Sequence, residues 1–228
     1  MKIIRLTSIE VANISVLPLE KRHQRLLRIE EPNVRWGYKP VVDALPKLLL
    51  AKAPLFGHLP AGSDAALLDQ IRKNCKSGPT QTKSCLAVAN AIIEWRNENS
   101  VTGRIVSPEP LRLSVDTLQY CADVAAVKDG IGYVLHLDPR SSMTLSVQGK
   151  EFIKSLIHHT ALIGDLRNAQ AALLRVPRTT NGKRRAIFEY LDGEPVFDLE
   201  EILQRIQETY SIWEMILRDR REANAAEA

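Results

Sequence analysis

Lys128-Asp129-Gly130 stands between two runs of strand formers, Tyr120–Val127 and Ile131–Leu137. An Asp-Gly step tolerates the positive φ angles of a tight hairpin turn, whose twist matches that of the strands it joins. Two antiparallel strands are therefore expected in the middle of the chain, and the other elements have to be arranged around them. Pro139 ends the second strand.

Leu111–Val115 reads as a strand ahead of this hairpin, with Ala169–Val176 and Ala186–Tyr190 after it. Asn181-Gly182 supplies a turn between the last two. Helical periodicity is plain in Thr80–Asn97, where Cys85, Val88, Ala89, Ile92 and Ile93 share one face. Ser146 caps a helix that buries Phe152, Ile153, Leu156 and Ile157. Asp198 and Glu201 carry a capping-box signature. They open a last helix with the apolar stripe Leu199, Ile202, Leu203, Ile206, Tyr210, Trp213 and Leu217.

The first 60 residues are punctuated by Pro32, Pro40, Pro46, Pro54 and Pro60. They read as an extended arm carrying the basic run Lys21–Arg28, then a short helix near Val42–Ala51. Ser63 caps a further helix through Lys73. The expected fold is α+β: a central mixed sheet with flanking helices, an N-terminal helical layer and a long C-terminal helix. Its core order is helix, strand, strand, strand, helix, strand. Residues 1–79 are expected to be an arm and short helices packed on the core, 80–222 the core with the C-terminal helix, and 223–228 a disordered tail.

With 45% hydrophobic and 25% charged residues, the chain has the balance of a globular protein. A net charge of +4 is compatible with nucleic acid or an acidic partner. Cys75, Cys85 and Cys121 lack Cys-x-x-Cys spacing, so free thiols are expected rather than a thiolate metal site. No run approaches the roughly 20 apolar residues of a membrane span, and Met1–Leu6 is too broken by charge for a signal segment. The expected location is cytoplasmic, with no membrane association. No phosphate loop, dinucleotide glycine pattern or Gly-x-Ser-x-Gly elbow occurs.

The element order over residues 80–176, with Asp123 in Ala122-Asp123 and Asp138 in Asp138-Pro139-Arg140 fifteen residues later, resembles the core of the PD-(D/E)XK nuclease superfamily. The resemblance implies magnesium held by Asp123 and Asp138, with Glu94 on the preceding helix as an additional acid. A hard cation of this kind needs oxygen ligands converging at about 2.1 Å, with water left over to attack phosphate. Arg140 stands where that family has a catalytic lysine, and Lys150 in Gln148-Gly149-Lys150 would be a migrated substitute. A guanidinium is not a compact point charge, and Pro139 interrupts the strand where the ligands must be fixed. In a second register His136-Leu137-Asp138 forms the triplet, which then has no basic group. Both a divergent magnesium-dependent nuclease and a catalytically degenerate DNA-binding subunit fit the resemblance.

The same residues have plainer readings. Asp123 can pair Lys128, Asp138-Pro139-Arg140 can be a turn, and His136 can be a hydrogen-bonded core residue. His158 and His159 point about 100° apart on a helix and do not make a ligand pair. Arg175, Arg178, Lys183, Arg184 and Arg185 surround the Asn181-Gly182 turn and are candidate phosphate contacts, or else a solvated loop. No aromatic alternates with these charges, so single-strand stacking is not indicated. The alternative function is a non-enzymatic regulatory or protein-interaction module working through the C-terminal helix. A homodimer and a protein partner both stay open.

Overall fold

In a computed structural model of the chain, the residues described are 6–29, 37–50, 63–106, 111–112, 117–118, 124–140 and 145–226. Seven helices lie within them: α1 (Ser8–Ser15), α2 (Leu19–Leu27), α3 (Lys39–Leu49), α4 (Asp64–Asn74), α5 (Pro79–Glu98), α6 (Val147–Thr160) and α7 (Leu199–Ala226). The strands are β1 (Thr102–Ile105), β2 (Leu111–Arg112), β3 (Thr117–Leu118), β4 (Val124–Lys128), β5 (Ile131–Asp138), β6 (Gln170–Arg175) and β7 (Ile187–Tyr190).

Five strands form one mixed sheet in the order β1-β4-β5-β6-β7. Only the β5–β6 pair is parallel, and α6 makes the crossover between them. The Asp129-Gly130 turn joins β4 to β5 with φ of 54° and 78°, as an Asp-Gly hairpin requires. Strand alternation then divides the core in two. On β5, Tyr133, Leu135 and Leu137 face one way with Ala172 and Leu174 of β6, toward α3, α4 and α5. Val134 of β5 and Ala171 and Leu173 of β6 face the other way, toward α1, α2, α6 and α7. The protein is thus a sheet between two helical layers. No described helix is long and apolar enough to cross a membrane.

Several expectations need correcting. The expected N-terminal arm is helical. Thr7 caps α1 in a full capping box with Glu10, and the basic run Lys21–Arg28 lies in and just after α2. Buried Arg22 of α2 reaches Glu208 of α7 at 2.7 Å, and its Nε donates to the Leu17 carbonyl. The described helices of the N-terminal region divide between the two faces of the sheet. α1 and α2 pack on α6 and α7, whereas α3 and α4 pack on α5 across the sheet. β1 was not expected. The strand expected at Leu111–Val115 begins as β2, which pairs with β3 outside the main sheet, and 113–116 lie outside the described residues. The strand expected from Tyr120 is described from Val124 onward. α7 continues into the expected tail as far as Ala226, and Arg220 donates to the Ile29 and Leu27 carbonyls at 2.9 and 2.7 Å.

Candidate functional site

The parallel β5–β6 pair brings polar side chains together at its C-terminal end, beneath the N-termini of α1 and α6. His136 and Asp138 lie on the sheet face that α1 and α6 cover, and both are buried. The His136 Nε2 is 3.1 Å from the Ser8 hydroxyl in the first turn of α1. Burial pulls the imidazole down to about 4; Asp138 opposes that shift and Arg140 reinforces it. The histidine is therefore neutral at physiological pH.

The Asp138 carboxylate, only 2% exposed, accepts from Arg140 Nε at 2.9 Å, from its Nη2 at 3.2 Å and from its backbone N–H at 3.2 Å. Asp138-Pro139-Arg140 is thus a strand-terminating turn locked by a charge-assisted fork. Lys150 in the first turn of α6 bonds Glu189 of β7, and Arg175 approaches the other Glu189 oxygen at 3.9 Å. Each acid here already has a cation.

Glu94 is exposed on α5, on the opposite side of the sheet from Asp138. Asp123 lies outside the described residues. Among the described residues no three His, Cys, Asp or Glu side chains converge on one point. The Asp138 carboxylate is already engaged by Arg140. His158 and His159 meet edge to face, and His159 Nε2 is 3.0 Å from the Phe197 carbonyl. Buried Cys85 donates to the Gly37 carbonyl at 3.0 Å, and burial, with Cys75 alongside, pushes its thiol up to about 12. Cys121 lies outside the described residues.

The basic turn between β6 and β7 sorts into two classes. Buried Arg184 points inward, donating to the carbonyls of Val176 at 2.7 Å and Pro139 at 3.2 Å and reaching the Tyr38 hydroxyl. Arg175 belongs to the Glu189 cluster. Arg178, Lys183 and Arg185 are exposed. They ride on a ribbon closed by the Arg178–Arg184 bridge, with Thr179 N–H donating to the Lys183 carbonyl at 2.8 Å. Gly182 takes a φ of 78° at the tip.

A third feature lies at the opposite edge of the sheet, where nothing in the sequence pointed to it. β1 is the outer strand, and its outer side is closed at Gly103 by a bridge to Leu50, the residue after α3. Beyond that bridge is a recess of about 270 Å³ lined by Arg104, Ile105, Val106, Ala161, Ile163, Asp165 and Leu166. Ile105 is 60% and Ile163 41% exposed, a pair of branched apolar side chains at one rim.

Residues 9–223 match the family described as sliding clamp-binding bacterial toxin SocB. The DNA replication inhibitor toxin SocB of Caulobacter vibrioides (strain NA1000 / CB15N) is 24% identical over 223 residues, covering 96% of this chain and 93% of that protein.

Proposed function

The chain belongs to the family of sliding clamp-binding bacterial toxins, SocB, and we propose that it binds a bacterial sliding clamp and thereby inhibits DNA replication. The observation that carries this reading is the extent of the match, which runs from α1 through the sheet and far along α7. The Asp138–Arg140 and Lys150–Glu189 ion pairs support it, because they give the buried acid at the end of β5 and the half-buried acid of β7 a structural occupation. The activity is then one of protein contact rather than of bond cleavage.

We place the clamp contact at the β1 edge. A peptide-binding surface at a sheet edge needs exposed apolar anchors, and Ile105 on the outer strand β1 supplies one just beyond the Leu50–Gly103 bridge. Leu50 also leads by chain continuity into residues 51–62, Ala-Lys-Ala-Pro-Leu-Phe-Gly-His-Leu-Pro-Ala-Gly. Leu55 and Phe56 there are bulky apolar residues between Pro54 and Pro60, suited by chemistry to anchor in a partner's pocket.

The test is binding of the whole chain to the purified clamp of its own host by interferometry, beside a clamp-dependent primer-extension assay. Binding at about 10 μM or tighter, with extension blocked and then restored by excess clamp, is the expected outcome. No binding at tens of micromolar sinks the reading. Leu55→Ala with Phe56→Ala, and separately Ile105→Asp, are each expected to weaken binding at least tenfold, the exposed Ile105 variant with its urea midpoint in place. Full binding by both variants moves the contact off this edge.

A further inference from the structure

We propose that the β6–β7 hairpin tip is a docking element for the sugar–phosphate backbone of duplex nucleic acid, through Arg178, Lys183 and Arg185. Nothing in the clamp reading requires this, and the inference stands on the geometry of the tip alone.

The first observation is charge without compensation. From Val176 to Phe188 the sequence contains no Asp or Glu. Among the described residues no carboxylate pairs with Arg178, Lys183 or Arg185, while Arg140, Lys150 and Arg175 nearby each have one. Three like charges on one turn repel each other, and a fold with no use for them gains by pairing or dispersing them. Here Arg184, the one cation of the run turned inward, fastens the base of the ribbon to Pro139, Val176 and Tyr38, and the other three face out.

The second observation is rigidity. Backbone bonds from Thr179 N–H to the Lys183 carbonyl, from Gly182 N–H to the Thr179 carbonyl and from Arg185 N–H to the Pro177 carbonyl fix the tip. The Thr179 hydroxyl donates to the Lys183 carbonyl at 3.0 Å, and the Asn181 amide oxygen accepts from Lys183 N–H at 3.2 Å. A preorganised set of cations loses less side-chain and loop entropy on binding than a flexible one.

The third observation is composition. Besides the three cations, Thr179, Thr180, Asn181 and Gly182 make up the tip. Arg, Lys, Thr and Asn, with backbone N–H groups, are the usual phosphate-contacting set. The tip from Arg178 to Arg185 has neither an aromatic nor a large aliphatic side chain, so it lacks both the stacking platform of a single-strand binder and the anchor of a protein hot spot. A two-stranded ribbon is also of a size that a major groove of about 12 Å admits.

The test is fluorescence anisotropy with a labelled duplex of about 30 base pairs and no clamp present, over a salt series. Three phosphate contacts correspond to a slope of log affinity against log salt of about −2.7. Arg178→Gln/Lys183→Gln/Arg185→Gln is expected to remove most of that slope, with an unchanged urea midpoint because all three side chains are exposed. Lys47→Gln/Lys76→Gln/Lys83→Gln removes the same charge from exposed positions on the α3–α5 side and is expected to leave the slope intact. No duplex binding at low salt overturns the proposal. So does an equal loss in both variants, which means only net charge matters. Heparin binding without duplex binding overturns it as well, and so does a triple variant that loses clamp affinity while duplex affinity is unaltered, since the tip then serves an acidic protein surface. Failure of clamp binding leaves this experiment untouched, so the two ideas fail separately.

Discussion

The guanidinium carbon of Arg184 lies 5.5 Å from the centre of the Tyr38 ring, joining the hairpin base to the start of α3 across 146 positions of sequence. The same guanidinium serves two buried carbonyls, so its removal strands acceptors as well as ending the stacking. Arg184→Ala is expected to cost about 1.5–3 kcal/mol, the range for hydrogen bonds from a charged donor. Arg184→Lys should recover only part of this, because an ammonium lacks the planar fork. Urea unfolding, with the midpoint falling at constant slope, checks both values.

His136 sets a pH dependence whose sign follows from its burial. The unfolded chain takes up a proton as pH falls through the ordinary histidine value of 6.5, whereas the folded imidazole resists until about 4. Stability from this group is therefore complete above the unfolded value and declines through that window, by roughly 3 kcal/mol in all. Ser8, Asp138 and Arg140 are the polar and charged groups around it. Urea midpoints measured across the window should fall in the wild type. The decline should be much shallower in His136→Gln, which has no proton to gain.

Gly103 packs where a side chain does not fit. A Cβ added there would stand 2.7 Å from Leu49 Cβ and 2.9 Å from the Leu49 carbonyl oxygen, and the latter cannot rotate away. Gly103→Ala should lower stability by about 1–3 kcal/mol, the usual cost of overpacking. Gly132→Ala on β5 meets only Ala169 Cβ at 3.6 Å and should change stability far less. Thermal unfolding of the two variants side by side separates a steric cost from a general intolerance of alanine in the sheet.

The Tyr210 hydroxyl accepts a bond from the buried Leu6 N–H at 3.2 Å. Tyr210→Phe keeps the ring in the core and leaves that donor unsatisfied, for an expected loss of about 1–2 kcal/mol. Hydrogen exchange at the start of α1 should accelerate more in this variant than exchange in α5.

Where local chemistry decided the structure, the sequence was readable. Asp129-Gly130 makes its turn, Ser146 accepts from Gly149 N–H at 2.9 Å, and Asp198 accepts from Glu201 N–H at 2.7 Å. The Asp198 box is only half made, because the Glu201 carboxylate turns to Arg205. Thr7-x-x-Glu10 carries an equally good signature for α1, but it stands at the head of a region crowded with prolines and charges, where the helical period is short. α2 had no such signal. A short charged helix capped by Pro18 owes its stability to packing on α7, which no local pattern reports. β1 fails for a similar reason: Thr-Gly-Arg-Ile has little strand character until β4 pairs with it. Around the basic turn, a run of arginines and lysines does not say which one turns inward. Arg184 alone is buried there, and only the carbonyls of Val176 and Pro139 make that visible.

The interlocking of the two ends of the chain carries a consequence for how the protein is made. Ser15 bonds Thr209, Arg22 bonds Glu208, and Arg220 holds the carbonyls of Leu27 and Ile29 at the end of α2. During synthesis, α3, α4, α5 and the sheet can close their side as soon as β7 has left the ribosome. The apolar surfaces of α1 and α6 must wait for α7 to emerge behind them. The chain is thus half assembled for the last stretch of translation, with one greasy flank uncovered, and a truncation anywhere before Trp213 leaves it in that condition permanently.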